Sequence, residues 1–432
     1  MNLLKTLGMI KIYLKNQKKS ICSSDPVRID FFIVIALAVL LITPVVIKFS
    51  FKANAGVKQV NLSLSPRFEE LFGSEMMETL FAEFKERYPD LRLQITGSSP
   101  DILSLQITDI SPDILIFDEG EFNVLAAEGS LAKIDVYEEE HPPLITDHLA
   151  VPLVSFMDML FYNIDILSAA GFDRPPKTRD EFAACAAAVS GGNSGAALSL
   201  SSADRQALSR DVFSWIWAAG GNIDPAENSS QGSSVNNRAV IADINFFGAL
   251  NRNKVLAPRV FDTTGDQRLE EFADGRIAMM IASTRAIPFL RERMGDGAFG
   301  ITTVPSTGGG GKYSVCLSRI YAGINANCEH PEEARNFLMF LAEKSSLFCA
   351  QLKAVPGKVS DLIPGDYVRG DTFYSKAWDI FESSQLVQGF SGKSGAQEYE
   401  SAFLEELRIY FESDRSAQDT AAAIQRRWDE AE

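Results

Sequence analysis

A chain of 432 residues, 46% hydrophobic, 23% charged and 10% aromatic, carries enough apolar material for two or three cores. These figures exclude disorder, a collagen-like chain and a disulfide scaffold. The net charge of −16 is unevenly placed: residues 1–58 hold nine Lys/Arg against two Asp/Glu, and the remainder 32 against 55. So acidic a body repels phosphate backbones, which argues against nucleic acid as a partner.

The basic segment surrounds an uncharged run of 17 residues, 31–47 (FFIVIALAVLLITPVVI). As a helix it would be roughly 26 Å long, close to the hydrocarbon thickness of about 30 Å. Lys5, Lys11, Lys15, Lys18, Lys19 and Arg28 precede it, and positive charge holds that side in the cytoplasm. Everything after residue 48 is then expected outside. Two readings stand: an uncleaved anchor, or a signal peptide cut after Ala53-Asn54-Ala55. Cys22 lies before the run, so a lipoprotein signal does not fit.

Strand and helix patterns alternate from residue 59 onward. Met77, Leu80, Phe81, Phe84 and Tyr88 form a helical stripe that stops at Pro89. Leu91, Leu93 and Ile95 alternate as a strand, and PDILIF (112–117) reads as a strand buried on both faces. A helix closing at Gly129 follows. Ligands of such sheets bind beyond the carboxyl ends of the strands, so the loop 118–121 is a candidate lip of a site. Thr178-Arg179-Asp180-Glu181 predicts a capping box for a helix over 181–189. A helix with Phe213, Trp215 and Trp217 ends at Gly220-Gly221, and the polar run 224–237 is a surface excursion. Residues 277–282 form a buried strand, 307–312 (TGGGGK) a flexible link, and 314–326 one long strand. Pro331 opens a helix where its missing N–H costs nothing. The last sixty residues read as amphipathic helices.

Chemistry is notable for its absence. GFSGKS (389–394) has two spacer residues where a phosphate loop needs four. No G-x-S-x-G or H-E-x-x-H pattern occurs. His141 follows three glutamates without ligand spacing and reads as a solvated acidic loop. No metal, cofactor or nucleophile with its base is nominated. Cys185 and Cys349 sit in apolar helical stretches that suit buried thiols; Cys316–Cys328 is the most local of the possible pairings.

Several stretches, in order, resemble one family: the extracytoplasmic solute-binding proteins of ABC importers, maltose-binding branch. They are FAEFKERYPDLRLQI (81–95), PDILIFDEGEFNVLAAEGSLAKID (112–135), LFYNIDILSAAGFDRPPKTRDEF (160–182), FADGRIAMMIAST (272–284), FGITTVP (299–305) and YAGINANCEHPEEARNFLMFL (321–341). The resemblance implies an α/β fold of two discontinuous lobes around a cleft: 59–153 with 306–353, and 154–305 with 354–432. Crossovers are expected near 152–156, 299–305 and 353–356. It further implies a monomer that captures a carbohydrate or related polar solute, delivers it to an ABC permease and needs no cofactor. A membrane-tethered sensor and an exported hydrolase are the alternatives.

Carried over by position, Asp118, Glu119 and Glu121 are expected to accept bonds from sugar hydroxyls, unless they form a solvated loop. Phe156 offers at most a stacking face, and Trp215 another, with core packing as its competing role. Tyr321 belongs to the cleft floor or to the core. Arg285 stands where the family usually shows Trp, which predicts an anionic group on the ligand or a carboxylate across the gap.

Overall fold

The computed structural model describes residues 60–96, 111–134, 148–190, 194–204, 208–221, 223, 235–307, 314–356, 366–388 and 396–431. The apolar run 31–47, Cys22, the cut at Ala55, His141, the glycine run 308–312 and residues 389–394 lie outside them. Among the described residues no helix is long and apolar enough to cross a membrane.

Val60–Leu64 (β1) and Leu91–Ile95 (β2) pair in parallel around the helix Ser74–Arg87. That helix buries Met77, Leu80 and Phe84, one stripe at helical spacing. Lys85 and Arg87 in its last turn complement the helix dipole, and Pro89 bars continuation. Ile114–Asp118 (β3) is buried along its first four residues, as a strand covered on both faces must be.

Ala150–Asn163 (β4) is the long central strand, and of its fourteen residues only Tyr162 is not buried. Met279–Ser283 (β5) and Phe299–Thr302 (β6) pair antiparallel with its second half. Ser314–Ile324 (β7) pairs with its first half, and Val355–Pro356 (β8) with Val154 and Ser155. Gln385–Gln388 (β9) runs parallel to the start of β7. The hydrogen-bonded order is β2-β1-β3-β7-β4-β5, a mixed sheet with β6 and β8 also on β4. The three stretches expected to cross between lobes therefore all meet on β4. A bulge interrupts its register with β7 between Pro152 and Val154.

Apolar side chains gather into separate cores along this sheet. Leu62, Phe68, Phe84, Ile116, Phe337 and Leu341 fill the one around β1–β3 and the helix Pro331–Glu343. Phe182, Phe213, Trp215, Phe247, Phe403 and Trp428 fill a second beyond β4. Phe161, Phe299, Phe373 and Trp378 form a third beside it. The helices Thr372–Ser383, Ala396–Glu412 and Ala417–Ala431 supply the C-terminal part, as the amphipathic pattern predicts, with the strand β9 following the first of them. Trp428 is sealed in by an indole N–H donated to the Tyr399 carbonyl at 2.9 Å.

Two details differ from the sequence reading. The helix Arg179–Ser190 begins two residues before the expected start at Glu181. The Glu181 amide donates to the Thr178 hydroxyl oxygen at 3.2 Å, as the capping pattern predicts, and its carboxylate also accepts from the Lys177 amide at 2.7 Å and from Arg174. Cys316 and Cys328 are not paired; Cys185, Cys316, Cys328 and Cys349 are all free thiols. Cys316 lies near the start of β7, and eight residues of extended chain carry it roughly 26 Å from the strand's end. A disulfide needs Cα atoms within about 7 Å.

Candidate functional site

The carboxyl ends of β3 and β5 open on a common cleft of about 810 Å³. Asp118, Glu119, Ser318, Arg319 and Ile320 form one wall. Leu198, Ser199, Asp204, Arg210, Asp211, residues 265–270, residues 280–283, Arg285 and Ala286 form the other, and Phe156 on β4 lies between them. Six carboxylates and four arginines line it, together with Phe156, Phe289, Met280 and Ile281. Polar walls with a few apolar faces suit a solute rich in hydrogen-bonding groups.

The first wall is built by a capping box. Asp118 ends β3 and caps the helix Glu119–Ala127: its carboxylate accepts from the Glu121 amide at 3.0 Å, and the Glu121 carboxylate accepts from the Asp118 amide at 2.8 Å. Arg67 donates to Glu121 and lies 3.7 Å from Asp118. Burial, then the Asp118 charge, push the Glu121 carboxyl up, while the hydrogen bond from the Asp118 amide and Arg67 pull it down. Glu121 is thus spent on shaping the lip and does not line the cleft, contrary to the role expected for it. Asp118→Ala should cost about 1 kcal/mol of stability through the lost cap, whereas Asp118→Asn should cost a few tenths; thermal unfolding separates the two.

The second wall holds the residues that sequence reasoning missed. Ser209–Phe213 is a single π-helical turn, wider than the α-helix Ser214–Ala218 that follows. Such turns are rare and re-aim the side chains they carry. Here they bring Arg210 and Asp211 to the cleft. Asp211 is 4% exposed and accepts the Ser199 amide at 2.6 Å. Burial pushes its carboxyl up to about 8, against the downward pull of Arg210. Asp158, just beneath, is pushed up to about 6 by burial, again against Arg210. One of its carboxylate oxygens has no hydrogen-bond partner. Arg210 also lies 4.0 Å from Asp204, which accepts the Gly265 amide at 2.8 Å. Gly265 lets these groups approach closely: a Cβ there would stand 2.8 Å from the Arg210 guanidinium and 2.9 Å from the Asp204 carboxylate, and the two side chains would have to shift.

Of the residues expected at the site, the structure brings Asp118, Glu119, Phe156 and Arg285 together in the cleft. Phe156 is 3% exposed and its ring is covered by the Arg285 guanidinium at 5.9 Å, so it is a platform for that arginine rather than an open stacking face. Trp215 and Tyr321 are core residues. Trp215 is 1% exposed, 4.8 Å from the Phe182 ring and 5.2 Å from Phe246, because the helix after the π turn faces inward. Tyr321 is fully buried under the lip helix, 4.9 Å from Phe122 and 6.1 Å from Phe117. Its neighbour Arg319 carried a legible signal, a charged residue inside the apolar run of β7. Nothing in the sequence marks Arg210 and Asp211, which look like an ordinary helix surface.

Fold and cleft together define a two-lobed α/β binding protein. Maltose-bound MalE3 of Thermotoga maritima is similar at a TM-score of 0.65 and 18% identity, over 86% of this chain and 99% of that one. The cyclic α-maltosyl-1,6-maltose binding protein of Arthrobacter globiformis is similar at 0.69 and 16%, over 86% and 98%. UgpB of Mycobacterium tuberculosis with glycerophosphocholine gives 0.66 and 18%, over 86% and 98%. Residues 70–346 match the model of the bacterial extracellular solute-binding proteins, and the chain belongs to that family. Membership places it among binding proteins rather than enzymes, in line with the sequence reading. The probable ABC transporter-binding protein of Deinococcus radiodurans is 23% identical over 252 residues, 55% of this chain and 57% of that protein. A binding protein of Brucella abortus is 26% identical over 205 residues, 45% and 46% of the two. The chain thus spans about half the length of these relatives.

Proposed function

We propose that this protein is the extracytoplasmic solute-binding component of an ABC importer, that it captures a small polar solute of the carbohydrate class in the cleft, and that it hands it to a membrane permease. The observation that carries this is the cleft itself: about 810 Å³, lined by carboxylates from both walls, with apolar faces between. Carboxylates accept bonds from hydroxyls well, and a solute held by both walls favours the closed arrangement of the lobes by its differential contacts. We place one lobe at 59–153 with 306–353 and the other at 154–305 with 354–432, because the cores on either side of β4 follow those segments. The basic leader with its apolar run tethers the protein, as a monomer, to the outer face of the membrane or is cut at Ala55. The solutes of the similar structures range from maltose to glycerophosphocholine, so the cleft's own residues decide the ligand. The test is small-angle scattering with a panel of mono- and oligosaccharides, read beside thermal unfolding. A stabilising solute should reduce the radius of gyration; stabilisation with no change in radius for any solute overturns closure around the ligand.

A further inference from the structure

The charges in the cleft are not evenly matched. Of its four arginines, Arg210 faces Asp204, and Arg268 pairs with Glu271 at 2.6 Å. Arg285 and Arg319 have no carboxylate within ion-pair distance among the described residues. The Arg285 guanidinium lies over the Phe156 ring and makes no side-chain hydrogen bond among the described residues. Arg319 is half-buried, and its Nη1 is shut away from solvent with no hydrogen-bond partner. A guanidinium nitrogen left so costs free energy that a bound anion would recover.

Four of the six carboxylates of the same cleft already accept a bond. Asp118 caps a helix, Asp204 and Asp211 accept backbone amides, and Glu270 takes Arg293 at 2.9 Å. Arg285 and Arg319 thus remain cations with no pairing carboxylate among the described residues, although the formal charge of the cleft is negative. A guanidinium offers two parallel donors to carboxylate, sulfate or phosphate oxygens.

We infer that the captured solute carries an anionic group, and that Arg285 and Arg319 bind it while the acidic residues take hydroxyls elsewhere on the molecule. This rests on the solute-binding reading above and narrows it to sugar acids, sugar sulfates or sugar phosphates. The aromatic rings of the described lining each carry an arginine: Phe156 lies under Arg285 and Phe289 under Arg293, while Trp215 is interior.

The test is titration calorimetry of the full chain with matched probes: galactose against galacturonate, glucose against glucose 6-phosphate, and N-acetylglucosamine against its 6-sulfate. At least one acidic member should bind about tenfold or more tightly than its neutral partner. Which acidic member wins distinguishes carboxylate, phosphate and sulfate. Arg285→Gln and Arg319→Gln should each remove that preference, lowering affinity about 10- to 100-fold for the acidic probe and little for the neutral one. Arg319→Gln should also raise the unliganded melting temperature, because it removes an unpartnered buried donor, so lost binding cannot be laid to misfolding. Neutral probes binding as well as acidic ones overturns the inference and leaves the solute-binding reading standing. An acidic preference that survives both substitutions overturns the assignment of the arginines. No binding by any acidic probe at millimolar concentration overturns the inference, and the saccharide panel above tests the solute-binding reading separately.

Discussion

Replacing Arg179 with methionine lowers the unfolding free energy by about 3–5 kcal/mol, read as a fall in the urea midpoint at constant slope. Arg179 is 7% exposed, and its partner Asp243, on the helix Arg238–Arg252, is fully buried. The guanidinium also donates to the Trp215 carbonyl at 2.7 Å and sits 5.3 Å over the Phe246 ring. It thus ties the start of the helix Arg179–Ser190 to the core behind the cleft. Without it, Asp243 is left as an uncompensated interior charge. Burial already pushes the Asp243 carboxyl up to about 6, against the pull of Arg179. Losing the arginine moves it higher, so the variant should recover part of its stability in acid, where the carboxyl takes a proton. Pairing Arg179→Met with Asp243→Leu should restore most of the loss, since two apolar side chains replace the pair at little net cost. A single-variant loss below about 1 kcal/mol would show that the pair is not buried as described.

The second large effect is a dependence on pH opposite to that of most acidic proteins. Asp158 and Asp243 titrate near 6 and Asp211 near 8, all raised by burial. An unfolded aspartate titrates near 3.9. The folded protein therefore holds more protons than the unfolded chain between these values, and stability falls as pH rises. The three groups act together from about pH 4 to 6, and Asp211 alone from 6 to 8, at up to about 1.4 kcal/mol per pH unit for each group. The groups facing Asp211 are Arg210, Asp204 and Asp158, with the Ser199 amide as its hydrogen-bond donor. Asp211→Asn keeps an oxygen for that amide and has no proton to lose. It should flatten the curve between pH 6 and 8 and make the variant the more stable protein at pH 8. A wild-type midpoint that does not fall over that interval would mean that Asp211 is ionised in the folded state.

Much of the fold was legible because its elements obey simple periods. The stripe of Met77, Leu80 and Phe84, the alternation of Leu91, Leu93 and Ile95, and the solid apolar run 114–117 each dictate one conformation when buried. The lip of the cleft was legible for the same reason: Asp118 follows an apolar strand and precedes a helix, a place where a side-chain oxygen caps the helix and faces the opening. The aromatic residues were not. Trp215 and Tyr321 have the chemistry of a sugar platform, but whether a ring faces a cavity or a core depends on a half-turn of rotation. That rotation is set by the π turn for one and by strand register for the other. The Arg210–Asp211 pair was hidden by the same turn, since one extra residue in a helix leaves no mark in composition or spacing. Arg285 stood out by its departure from the usual residue and lines the cleft, yet its contact with Phe156 is a tertiary fact.

The fourteen residues of β4 belong to both halves of the molecule, bonded at one end to β7 and β8 and at the other to β5 and β6. A rod gripped at both ends cannot let the halves slide past each other. The closure proposed above would have to wring or flex it, with the irregularity between Pro152 and Val154 as the pivot. Phe156, two residues further on, would then sit almost on the axis of rotation, whereas Asp118 and Arg285 would ride on lever arms to either side. A guest molecule leaning on that axis would feel little displacement while the outer groups swept in to meet it.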